Sequence, residues 1–240
     1  VRDPDQARPL AGAVAVLARL AARYGRVAVI SGRPASYLAG RLSPAAGATE
    51  LIGLYGLERV RVAPAAAAPA IEVAPAAQGW AAAIDAAADA ADSTAPAGLL
   101  VERKGLAVTL HYRRSPALAG WAEQFARDRA AASGLVAHPG KMSWELRPPV
   151  ATDKGTVVAD LALGLRAVAF IGDDIGDLPA FAELRRLRER GVATAAVAAG
   201  GAETPVTLVE AADLVVEGPA GVLGLLEWLA GPATGPGASD

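Results

Sequence analysis

The chain contains no cysteine. That excludes disulfides, thiolate metal sites and cysteine nucleophiles, and it fits a reducing compartment. Histidine is almost as scarce. His111 and His138 stand far apart, and two isolated histidines do not make a zinc site. His111 within a predicted strand reads as a packed or hydrogen-bonded side chain, and His138 before Pro139-Gly140 as a turn residue. Net charge is −2 and no basic block stands out, which argues against a nucleic-acid partner. There is no secretory signal and no unbroken apolar run long enough for a bilayer, so no membrane partner is expected and a cytoplasmic location is. Lysine is rare: of 23 basic residues only Lys104, Lys141 and Lys154 are lysines.

What is present describes a folded protein. With 53% hydrophobic residues over 240 positions, the chain suffices for one large domain or two modest ones. Apolar spacing predicts a helix over 9–24, a buried strand over 27–30, and a helix opening at Pro34 and running to about Leu42. Strands at 51–55 and 59–62 flank Gly56. The prolines at 64, 69 and 75 argue against a helix in the alanine-rich stretch 63–77. The middle has a different rhythm: a helix over 78–92, paired strands around Lys104-Gly105, a helix over 116–132, and a second strand pair around Pro139-Gly140. After Pro148-Pro149 the alternation returns, with helices at 154–164, 178–190 and 219–230 and strands at 167–171, 192–198 and 213–216. The tail from Gly231 reads as loose. The fold class is therefore α/β: a Rossmann-like core, 1–73 and 149–240, interrupted by an inserted α+β cap over 74–148.

Three places carry chemistry. The apolar run 167–171 ends in Gly172 and then three carboxylates, Asp173, Asp174 and Asp177. Such a run reads as a buried parallel strand, and ligands bind at the carboxyl ends of parallel strands. Crowded carboxylates need a cation or hydrogen bonds, and Mg²⁺ suits them because it takes one or two carboxylates and leaves other positions to water and phosphate. A helix N-cap ahead of Leu178-Pro179 accounts for Asp177 alone. The second place is Ser31-Gly32-Arg33-Pro34, where a strand ends and a helix begins. Free N–H groups, the helix dipole and the Ser31 hydroxyl make an anion site, and an ordinary cap is the other reading. The third is Asp153-Lys154-Gly155-Thr156. A cation opening a helix opposes the macrodipole, a tension that a phosphate resolves; the other reading is a solvated surface lysine.

The order strand–Ser, helix-start Lys, strand–Gly-Asp-Asp resembles the second to fourth motifs of the haloacid dehalogenase superfamily of phosphohydrolases. The likeness narrows with Leu54-Tyr55-Gly56-Leu57-Glu58, Leu110-His111-Tyr112-Arg113 and Lys141 through Glu145-Leu146-Arg147-Pro148. Together these are similar to the trehalose-6-phosphate phosphatase family almost end to end. The resemblance implies that Ser31, Gly32, Arg33 and Lys154 hold the phosphate, with Ser31 and Lys154 serving catalysis, and that Asp173 holds Mg²⁺ with Asp174 and Asp177 in support. It implies that Lys141, Glu145 and Arg147 from the cap and Glu58 from the core grip sugar hydroxyls. Lys141 and Glu145, four apart on a predicted strand, share one face; a surface ion pair is the alternative. Trp80, Trp121, Trp144 and Trp228 read as packing, with Trp144 also bordering the sugar.

The family's first motif, Asp-x-Asp-Gly-Thr after an apolar strand, supplies a nucleophile and a general acid. These 240 residues do not contain it: in Asp3-Pro4-Asp5 the following residues are Gln6-Ala7. The sequence thus reads as starting just beyond that motif, poorly folded and catalytically dead as it stands. The expected function of the intact protein is hydrolysis of trehalose 6-phosphate through an aspartyl-phosphate. The alternatives are another sugar-phosphate phosphatase of the superfamily, or a non-catalytic sugar-phosphate-binding domain. Association with trehalose-6-phosphate synthase is also an expectation of the resemblance.

Overall fold

The computed structural model describes residues 8–42, 49–61 and 70–232. Asp3-Pro4-Asp5, residues 63–69 of the alanine-rich stretch and the tail beyond 232 lie outside them. The described chain forms two compact units, 1–71 with 152–240, and 72–151.

In the first unit, helix α1 (Ala13–Arg23) precedes strand β1 (Ala28–Ile30), helix α2 (Ala35–Leu42), strand β2 (Glu50–Gly53) and strand β3 (Glu58–Arg61). β1 and β2 are parallel, and β2 and β3 antiparallel. The predicted strand 51–55 is shorter than expected. It stops at Gly53, and Leu54–Gly56 form a single 3-10 turn. Within this unit the sheet runs β1-β2-β3; the short strand β4 (Glu72–Val73) belongs to the 72–151 unit.

The second half of the unit holds α5 (Lys154–Leu161), β9 (Ala167–Gly172), α6 (Leu178–Glu189), β10 (Ala193–Gly200), α7 (Val206–Ala211), β11 (Leu214–Glu217) and α8 (Gly218–Ala230). Helix α7 was not visible in the sequence: at six residues it is too short for an apolar period to show. β9, β10 and β11 form a parallel sheet of their own in the order β11-β10-β9. Among the described residues β1 and β9 are not joined, yet Ile30 packs into the cluster that Val168 and Phe170 also join. That cluster sits between α5, α6 and the sheet, with Phe181, Leu184 and Val158 at its centre and the Phe170 and Phe181 rings edge to face at 6.2 Å. β9 is less buried than its apolar run suggested. α6 covers the face with Val168 and Phe170, and Ala167 and Ala169 on the other face are exposed. α1 packs on α8 through Val16, Leu20 and Ala230.

The second unit contains α3 (Ala81–Thr94), β5 (Leu100–Arg103), β6 (Val108–His111), α4 (Ala119–Ser133), β7 (Val136–Gly140) and β8 (Ser143–Arg147). Its sheet is antiparallel in the order β5-β6-β8-β7. Both helices cover one face, where Ile84, Ala88, Ala122 and Ala126 meet Val108, Leu110 and Leu146. Trp80, Trp121 and Trp144 pack at the margin of this core, and Trp121 stacks on Phe125 at 5.0 Å, the i,i+4 pairing expected of a helix. By strand alternation the other face carries Glu102, Thr109, His111, Glu145, Arg147 and His138. His138 is thus a strand residue, not a turn residue, because β7 continues through Pro139 to Gly140.

Candidate functional site

Ser31 follows β1 directly. Its N–H donates to the Ile52 carbonyl at 2.9 Å, and its Oγ accepts from the Arg33 N–H at 3.1 Å. Arg33 lies with its guanidinium 4.9 Å from the centre of the Tyr37 ring, one turn into α2. The loop from Ser31 to Pro34 thus leads into the amino end of a helix whose first N–H groups carry partial positive charge. Gly32 is fixed by sterics: a Cβ there would run into the Tyr55 ring.

Glu58 closes the same loop from beneath. Its Oε2 accepts from the Ala35 N–H at 2.7 Å, and only 8% of the residue is exposed. Burial raises its pKa above the usual carboxylate range, opposed by that amide. Its carboxylate is engaged in capping α2 at the back of the Ser31 loop.

Lys154 is the first residue of α5, whose N-cap is Asp153. Asp153 and Thr156 form a reciprocal capping box, with the Thr156 N–H donating to Asp153 Oδ1 at 2.8 Å. The Lys154 ammonium pairs with Asp177 Oδ1. Asp177 is 2% exposed, and its Oδ2 accepts from the N–H groups of Asp173 at 2.8 Å and Asp174 at 3.1 Å. Both its oxygens are committed, so Asp177 braces the acidic loop and aims the lysine. Asp174 caps the next turn, its Oδ1 accepting from the Gly176 N–H at 2.7 Å. Asp177 does stand at the N-cap position of α6, but its side chain makes no cap bond there; the side-chain cap is that of Asp174 on the 3-10 turn before it. Asp173 performs neither task. It is exposed, and partial desolvation, then Asp174 and Asp177, raise its pKa against the pull of Lys154.

This donor set answers whether Mg²⁺ fits. Among the described residues no group of three carboxylates or imidazoles is arranged around one point. A carboxylate strained by its acidic neighbours matches an ion that needs only one or two protein oxygens and fills its octahedron with water and phosphate. Asp173, with Asp174 next to it in the chain, is the carboxylate that could hold such an ion.

A second polar cluster lies in the 72–151 unit. Glu145, 7% exposed, accepts at Oε1 from Lys104 Nζ and Thr109 Oγ1, both at 2.9 Å, and its Oε2 is 3.2 Å from Arg147 Nε. Lys104 also lies 3.5 Å from Glu102, which bonds His111 Nε2 at 2.7 Å. Lys104 and Glu102 were not among the residues expected to act here. The scarcity of lysine was the one available signal. Lys141 does not share the strand face of Glu145: β8 begins at Ser143, and Lys141 lies in the exposed turn before it, next to Met142 at φ 56°. Trp144 points to the opposite face, packing at the helix-side core with Arg127 5.5 Å from its ring.

The sequence profile of the trehalose-phosphatase family matches residues 1–207. A trehalose-phosphate phosphatase of Mycobacterium avium is 36% identical over 209 residues, covering 80% of this chain and 50% of that protein. Its counterpart from Mycobacterium marinum is 33% identical over 196 residues, covering 75% and 47%. The chain thus spans about half the length of these curated relatives. Among solved structures, a trehalose-6-phosphate phosphatase related protein superposes with a TM-score of 0.73 at 21% identity, covering 96% of this chain and 91% of that one. The C-terminal domain of the Candida albicans trehalose-6-phosphate phosphatase gives 0.72 at 23%, covering 96% and 87%.

Proposed function

The chain belongs to the trehalose-phosphatase family, and from that membership we propose that it carries the phosphate- and metal-holding site of a phosphatase that releases trehalose and phosphate from trehalose 6-phosphate. The observation that supports this best is the continuity of the site: the Ser31 loop is bonded to the Leu54–Gly56 turn, that turn to Thr152 beside Lys154, and Lys154 through Asp177 to the Asp173 loop. The Ser31 hydroxyl and the N–H groups of the first turn of α2 beyond Ala35, whose own N–H goes to Glu58, hold the phosphoryl oxygens, and Lys154 neutralises charge that builds on them in the transition state. Asp177 keeps Lys154 from swinging into solvent. Asp173 would hold Mg²⁺, which when bound would supply further charge neutralisation at the same oxygens.

The chemistry needs a carboxylate nucleophile. It forms a bond to phosphorus as the bond to the sugar oxygen breaks, the sugar oxygen takes its proton from the general acid that the resemblance assigns to the nucleophile's motif, and that group, then a base, takes a proton from the water that cleaves the aspartyl-phosphate. No Asp-x-Asp-Gly-Thr run stands in these 240 residues. The 240 residues alone are therefore expected to bind phosphate without turning an ester over. The polar face of the 72–151 unit is assigned to the sugar. Its carboxylates and ammonium present paired donors and acceptors, which suit the hydroxyls of a disaccharide. A trehalose-6-phosphate synthase, the source of the substrate, is the expected functional partner.

The test is Mg²⁺-dependent phosphate release by the longest natural reading frame containing these residues, from trehalose, sucrose and glucose 6-phosphates in parallel. The expected result is preference for trehalose 6-phosphate, reduced at least about a hundredfold by Asp173→Asn. Equal release from all three would replace the reading with a general sugar-phosphate phosphatase. No release by a folded protein would leave only a binding role.

A further inference from the structure

The turn at Leu54–Gly56 is built at a cost. Leu54 and Tyr55 both adopt left-handed backbone, at φ 48° and 58°, and Leu54 is fully buried. Side chains with a Cβ are disfavoured in this conformation, and such strain persists only where the surroundings enforce it. The surroundings are two functional segments. On one side the Leu54 N–H donates to the Arg33 carbonyl at 2.9 Å, and the Tyr55 N–H to the Ser31 carbonyl at 3.0 Å. On the other, the Tyr55 carbonyl accepts from Thr152 Oγ1 at 2.7 Å, two residues before Lys154. Gly56, at φ 110°, lies against the same segment: a Cβ there would come within 2.7 Å of Thr152 Oγ1 and 2.8 Å of Val157. A right-handed turn would aim these N–H and C=O groups elsewhere.

We propose that the Leu54–Gly56 turn is a positioning device that sets the Ser31 loop and the Lys154 helix relative to each other, with Thr152 as the positioning residue that locks it. The inference rests on the reading of Ser31 and Lys154 as phosphate ligands. The Thr152 hydroxyl is the link because it bonds the turn directly and also lies 3.3 Å from Thr156 Oγ1 in the α5 cap. Its loss leaves the Tyr55 carbonyl without that donor and frees the turn to relax on the side facing α5. The Ser31 loop then moves although no atom of Thr152 is bonded to it.

The experiment uses the 240-residue chain, inorganic phosphate as probe, and the variants Thr152→Val, which keeps the shape without the donor, and Thr152→Ser, which keeps the donor. Phosphate affinity is measured by calorimetry, and amide shifts of the ligand-free proteins by NMR, well below each variant's melting temperature. In Thr152→Val the phosphate Kd should rise about three- to tenfold, the scale of one lost hydrogen bond. The amides of Ser31, Gly32 and Arg33 should shift, and Thr152→Ser should restore both. Shifts confined to the first turn of α5, with an unchanged Kd, would overturn the proposal and leave Thr152 an ordinary stabilising residue. If the wild-type chain binds no phosphate, the phosphate reading fails, and the amide shifts at Ser31–Arg33 decide the coupling by themselves. Thr152→Ala, smaller and making no new contact, serves if Thr152→Val does not fold.

Discussion

Glu58 is a carboxylate kept where its charge is disfavoured, and its pH dependence follows from that. Burial raises its pKa above 4.5, more than the Ala35 amide lowers it. A raised carboxyl pKa contributes stability that is present below about 4.5 and is lost as pH rises through the folded value. Urea denaturation across that range should show stability falling with pH, and Glu58→Gln should flatten the slope because its amide oxygen still accepts from Ala35. Glu58→Ala strands a buried N–H and should cost about 1–3 kcal/mol at any pH. His138 works in the opposite sense. Desolvation, then Arg147, lower its pKa below 6.5 against the pull of Glu145. Its contribution is present above about 6.5 and is lost as pH falls through the folded value. His138→Gln should remove that acid-side slope, and an unchanged slope in the variant would place its origin elsewhere.

The elements matter through close approaches that small residues permit. Gly155, in the first turn of α5, faces α6 so closely that a Cβ would lie 2.5 Å from the Pro179 carbonyl oxygen. Backbone cannot yield as a flexible side chain does, so Gly155→Ala should destabilise by about 1–3 kcal/mol through overpacking. A lowered urea midpoint checks this, and the displaced α5 should weaken phosphate binding as Lys154 moves with it.

At this scale the sequence conveyed the alternation of strands and helices, Ser31 after a strand, Lys154 at a helix start and the hairpins around residues 104 and 140. Each of these is a local pattern. What it could not convey depends on pairing across distance. Lys104 meets Glu145 because β6 lies between β5 and β8 and aligns Glu102, Thr109 and Glu145 in one cross-strand row. Nothing local to residue 104 carries that register. Lys141 was misplaced because a two-residue difference in where β8 begins moves a side chain from a strand face into a turn. The left-handed Leu54 and Tyr55 have no sequence signature, since most such positions use glycine or asparagine.

The division of the whole molecule into two units has a spectroscopic consequence. Of the four tryptophans, Trp80, Trp121 and Trp144 belong to the 72–151 unit and pack at its core, whereas Trp228, on α8 of the other unit, is 77% exposed. Unfolding changes the surroundings of the first three and scarcely those of the fourth. Intrinsic fluorescence therefore reports the 72–151 unit, while far-UV circular dichroism reports both. The apolar cluster between α3, α4 and the antiparallel sheet belongs wholly to that unit, as the cluster between α5, α6 and β10 belongs to the other. Each core can then melt on its own, and coincidence of probes, the test of a single cooperative unit, should fail. In urea the fluorescence and dichroism transitions of the wild-type chain should have different midpoints. Trp228→Phe should leave the fluorescence midpoint unchanged, and Trp144→Phe should shift it. Inorganic phosphate, which binds the unit containing Ser31 and Lys154, should raise the midpoint seen by dichroism and leave the fluorescence midpoint in place. Two probes moving together under phosphate would mean that the units unfold as one, and the sugar-facing cluster would then share the stability of the phosphate site.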